Sequence, residues 1–131
     1  MLAGEYNIVV EQGSTFGRYI AIQQPDLTAD PNGTIYENFS LVSYTARMQI
    51  RRTVDSPTFM LSLTTENGGL TINPNLSGNN GKNNEILITI TNQQSATLSS
   101  NGVYDLEIIS SGGTVSKVIR GEMILIPEVT R

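Results

Sequence analysis

The chain has 131 residues, 38% hydrophobic and 15% charged, with 8 Lys and Arg against 12 Asp and Glu and a net charge of −4. That length suits one domain and is too short for two full ones, and the composition is neither polar nor charged enough for disorder. Cys, His and Trp are absent, which excludes disulfides, thiolate nucleophiles, imidazole bases and Cys/His metal sites.

In chain order, the opening Met1 to Glu5 has neither the basic region nor the apolar stretch of a signal peptide. Tyr6, Ile8 and Val10 then alternate with Asn7, Val9 and Glu11, the period of a strand with one face in a core. Gln12-Gly13-Ser14 breaks it, and a second strand is expected over residues 15–22. Residues 23–41 carry Pro25, Asp26, Asp30, Pro31, Asn32 and Gly33 and read as a long loop or small inserted hairpin, with Tyr36 and Phe39 anchoring it to the core. Alternation returns over residues 44–51 and 59–64, the latter with Phe59, Leu61 and Leu63 inward. The turn Asn67-Gly68-Gly69 follows. Residues 73–84 hold six Asn in twelve positions and are expected to be an exposed loop. Ile86, Ile88 and Ile90 mark another strand. Residues 91–98 are the one helical candidate, capped by Thr91 or Asn92. Asn101-Gly102 opens a strand with Tyr104, Leu106 and Ile108 inward. Ser111-Gly112-Gly113 reads as a tight hairpin turn into a long last strand, residues 114–126.

Seven or eight short strands at this spacing predict an all-β fold, a two-sheet antiparallel sandwich over residues 1–131 as one domain, with a closed barrel as the alternative. In the last strand both faces are apolar from Met123 to Ile126, which requires cover on both sides, from the domain's own loops or from a partner. Gly121 within it suggests a bulge or a close backbone approach.

Chemistry is sparse. The acidic balance argues against nucleic acid, since phosphate binding needs clustered Lys and Arg. Arg47 and Arg51 share one side of a strand and fit a solvated face. No segment approaches the ~20 apolar residues of a membrane helix. Asp105 and Glu107 lie two apart on one strand face, a spacing open to a carboxylate pair, but alternation with core residues places them in solvent. Asp26 and Asp30 could bind Ca²⁺ weakly, although turn chemistry explains them and the dense ligand run of a calcium loop is missing. No phosphate-binding glycine motif is present, and no catalytic, cofactor or metal residue is assigned. Absence of Cys fits a reducing compartment.

Four segments, GEYNIVVEQGSTF (4–16), YTARMQIR (44–51), VYDLE (103–107) and PEVTR (127–131), taken in order along nearly the whole chain, resemble the small immunoglobulin-like β-sandwich proteins of tailed phages and prophages. The Asn-rich, low-charge character is similar to versions from large contractile-tailed phages, cyanophages included. The family shows an Asp-Leu-Thr-Gly turn before the YTAR run, where this chain reads Ser40-Leu41-Val42-Ser43, and its segment at 25–39 is shorter. The resemblance implies a non-enzymatic virion protein, assembled in the bacterial host cytoplasm, docking in the tail, baseplate or tail-fibre region. It would act in multiple copies on other phage structural proteins, without cofactor, nucleic acid or membrane. A capsid decoration protein and a host-glycan-binding module are the alternatives, the latter resting on Tyr19, Tyr36 and Phe39. The expected contact residues are Met123, Ile124, Leu125, Ile126 and Val129 of the last strand and its tail, with Tyr36 and Phe39 of the 25–41 loop.

Overall fold

The computed structural model describes residues 3–74 and 82–130. Eleven strands and one helix occur among them: β1 Gly4–Glu5, β2 Ile8–Glu11, β3 Phe16–Ala21, β4 Gln23–Pro25, β5 Tyr36–Asn38, β6 Thr45–Arg51, β7 Leu61–Thr64, β8 Leu70–Ile72, β9 Glu85–Ile90, α1 Asn92–Ala96, β10 Gly102–Ile109 and β11 Val115–Ile126. The count exceeds the expected seven or eight for three local reasons. The first run splits at Tyr6 and Asn7, the 23–41 insertion forms its own hairpin, and Leu70–Ile72 is too short to show a period in sequence.

Two sheets face each other. One runs β1-β11-β10-β6-β7, with β2 also on β11; the other runs β3-β9-β8. Pairing is antiparallel except that β1 and β2 run parallel to β11. The two sheets make an all-β, sandwich-like arrangement, and among the described residues no strand pairing joins them into a closed barrel. The hairpin β4–β5 is a separate two-stranded sheet.

Alternation fills the space between the sheets. Met48 and Ile50 from β6, Leu106 and Ile108 from β10, and Ile86, Ile88 and Ile90 from β9 join one buried cluster. Burying such side chains is worth about 1.5–3 kcal/mol each. Leu61 and Leu63 join them, but Phe59 lies before β7 begins and is exposed, against expectation.

The last strand departs from simple alternation. Leu106 pairs with Ile119 and Glu107 with Lys117, so Val118 is an extra residue in β11. This bulge lets the consecutive Val118 and Ile119 both be buried. Gly121 is a close approach: a Cβ there would collide with the Tyr6 carbonyl. Tyr6 N–H donates to Arg120 O at 2.9 Å, and Glu122 N–H donates to the Asn7 side chain at 2.9 Å. The Tyr104 hydroxyl donates to the same Tyr6 carbonyl. Its pKa is pushed up to about 12 by burial and by Tyr6 beside it.

The helix begins at Thr91 with a capping box. Thr91 Oγ1 accepts from Gln94 N–H at 3.1 Å, and Gln94 Oε1 accepts from Thr91 N–H at 2.9 Å. Buried Ser95 ties it to the first turn, donating to Ser14 O at 2.7 Å and accepting from Gly13 N–H at 3.0 Å. Gln12 extends this clamp, donating to Leu98 O and accepting from Glu128 N–H. The tail after β11 is thereby fixed to the body.

Of the Asn-rich loop, residues 75–81 lie outside the described residues. Asn84 at its end is buried rather than exposed and donates to Ile22 O at 3.0 Å.

Candidate interaction surfaces

Three surfaces bear on function. The first is the outer face of the larger sheet. Alternation on β6, β10 and β11 places Arg47, Gln49, Arg51, Asp105, Glu107, Lys117 and Arg120 there, lining an open trough. Lys117 Nζ lies 2.7 Å from Asp105 Oδ2 and 3.3 Å from Glu107 Oε2, and Arg47 donates to Glu107 Oε1. Partial burial alone would raise the Glu107 carboxyl, but hydrogen bonds from Arg47 and Lys117 hold it below its ordinary value. The Asp105 hydrogen bond raises Lys117 against the opposing effect of burial. The two carboxylates thus share a lysine in a neutralised four-charge network. Arg51 donates to Ser56 O and Gln49 Oε1 at 2.9 and 2.8 Å.

The second surface is the β4–β5 hairpin. Asp26 Oδ1 accepts from Thr28 and Ala29 N–H, and Asp30 accepts from Asn32 N–H and from Thr34. These bonds to Thr34 and Asn32 lower the Asp30 pKa. Both carboxylates are therefore used to build turns, and the described residues hold no cluster of three or more acidic side chains placed to share a metal ion. On this frame Leu27, Ile35 and Tyr36 are exposed, Leu27 by 61% and Tyr36 by 59%. Tyr36 therefore does not anchor the hairpin, as the sequence suggested. Phe39 does: it is half-buried against the core and meets Tyr44 edge-on at 5.7 Å.

The third surface is the end of β11. The sequence places five contact residues here, and the structure separates them. Met123 has no exposed surface and belongs to the core, and Leu125 packs half-buried against it. Ile124 and Ile126 face outward, and Val129 in the tail is 89% exposed. Among the described residues the domain itself covers one side of the strand only, so cover for Ile124 and Ile126 would have to come from a partner. Val9, exposed by 48%, pairs with Ile124 in register. Sequence reading missed it as a surface residue of interest because only the parallel β2–β11 pairing brings it beside Ile124. Leu27 and Ile35 were missed because they have no strand period to be read from.

No protein-family model matches the chain, and no curated protein matches it in sequence.

Proposed function

We propose that this chain is a structural component of a tailed-phage virion, a non-enzymatic β-sandwich adaptor or decoration domain docking in the tail, baseplate or tail-fibre region. The reading rests on the resemblance of the four sequence segments. The observation that supports it best is the hairpin, where turn bonds hold Leu27, Ile35 and Tyr36 outward on a frame that does not depend on them. Exposed apolar side chains grouped on an ordered element are characteristic of contact surfaces. Repeated copies on a symmetric particle would convert weak contacts into firm attachment.

The test is a triple variant, L27S/I35S/Y36S, expressed during particle assembly. Thermal unfolding should stay near that of the parent, since exposed substitutions usually change stability by no more than about 0.5 kcal/mol. The variant should be lost from purified particles. Full incorporation would remove the hairpin from the docking account.

A host-glycan-binding module is a second reading, favoured by the exposed Tyr19 and Tyr36 rings. Binding on a glycan array that Tyr36→Ala abolishes would select it over docking.

A further inference from the structure

The β2 edge of the larger sheet combines an open strand, an apolar strip and free carboxylates. Directly paired residues of a ladder point to the same side, so Val9 beside Ile124 and Glu11 beside Ile126 share the outer face. Glu122, two residues before Ile124, lies on that face too. Val9, Ile124 and Ile126 therefore form an apolar strip with Glu122 towards one end and Glu11 at the other. All are exposed, and neither carboxylate takes part in an ion pair among the described residues. Arg120, the neighbouring cation, is paired with Glu5 at 3.7 Å.

The backbone of β2 is also half-used. Tyr6 and Gln12 N–H groups donate to Arg120 and Ile126 carbonyls, both at 2.9 Å. In a parallel pair alternate residues turn their peptide groups to the neighbour. Val9 is out of phase with Tyr6 and Gln12, so its N–H and C=O face away from β11. No strand among the described residues pairs on that side.

We infer that this edge accepts one more β-strand from a protein partner, with an apolar side chain beside Val9 and Lys or Arg within reach of Glu11 and Glu122. Main-chain bonds would supply the affinity and the side-chain pattern the specificity. Charge selects the occupant. A second copy pairing through the same edge would gather four carboxylates around the joint, Glu11 and Glu122 from each chain, whereas a basic strand neutralises them. The inference deepens the docking reading above by naming the chemistry of one partner.

The test uses isotope-labelled full-length protein and two synthetic peptides, Lys-Thr-Ile-Thr-Lys, whose two Lys and central Ile fall on one face of an extended strand, and Glu-Thr-Ile-Thr-Glu. The Lys peptide should shift backbone amide resonances of residues 7–12 and 122–126, and the Glu peptide should not. Glu11→Lys should weaken the Lys peptide about tenfold, the scale of one charge-assisted hydrogen bond. Val9→Pro removes an outward N–H together with the Val9 side chain and leaves the bonds to β11 in place, so it should keep the fold, as proline on an edge strand does, and lose the peptide effect. Should V9P fail to fold, Glu11→Lys carries the test. Equal response to both peptides, or shifts centred on Asp105, Glu107 and Lys117, would overturn the inference. So would concentration-dependent shifts at residues 7–12 without peptide, which would assign the edge to a second copy. Incorporation into particles is scored separately. If V9P or E11K still joins the particle, this edge is not the docking route but the virion reading stands. If the parent chain is missing from particles, that reading fails whatever the peptides do.

Discussion

Gly121 stands where the backbone of the first segment crosses the last strand. Its missing side chain leaves room for the Tyr6 carbonyl, which also accepts the Tyr104 hydroxyl. Gly121→Ala forces the two backbones apart, and overpacking of this kind typically costs about 1–3 kcal/mol. Denaturant unfolding should show that loss, while Gly17→Ala, with open space around it, should cost far less. Ser43 is the converse case. It holds φ at 67° in the turn closed by Tyr44 N–H on Leu41 O. The left-handed conformation costs a non-Gly residue about 1–2 kcal/mol, and glycine's extra chain entropy offsets about 0.5–1 of that. Ser43→Gly is therefore expected to raise stability by up to about 1.5 kcal/mol, read as a higher unfolding midpoint. A lower midpoint would mean that the Ser43 backbone is not strained.

Among the elements, β6, β9 and β10 were legible because each alternates cleanly between core and solvent. β11 was legible in extent but not in face. The bulge at Val118 shifts the phase of half the strand, and a bulge is a property of pairing that one strand's sequence does not carry. The same limit concealed the apolar strip, since Val9 and Ile124 are more than a hundred residues apart in sequence. Gly121 was readable as a close approach because a glycine inside an apolar strand has few other uses. The expected contact set mixed core and surface for this reason: Met123 and Ile124 look alike until a partner strand fixes which side is inward. The outer face of β6, β10 and β11 behaves as a solvated network whose pH response can be stated. Glu107 has a lowered pKa in the folded state, so its contribution is complete above the unfolded value of about 4.3 and is lost as pH falls through the lower folded value. Lys117 has a raised pKa, so its contribution is complete below about 10.4 and is lost as pH rises through its higher folded value. Glu107→Gln should flatten the acid side of a plot of stability against pH. At neutral pH it should cost no more than about 1 kcal/mol, because the partners are largely exposed. An unchanged acid slope would show that other carboxylates set it.

At the scale of the molecule, the sandwich is a rigid holder. The clamp of Gln12, Ser14, Ser95 and Glu128 fixes the tail to the first turn, and the hairpin is set by its own turn bonds. What the fold presents in fixed positions is a neutral charged face, an apolar hairpin and an open edge with an acidic rim. The fold class was readable from period and turn spacing. The open edge was not, because β2 and β11 meet from opposite ends of the chain. The most direct measurement is the copy number of this chain in purified phage particles by quantitative mass spectrometry, with the major capsid protein as internal standard. The account predicts a small multiple of the tail's rotational symmetry. A count matching the capsid protein would move the chain to the head as a decoration protein, and its absence from intact particles would contradict the virion role.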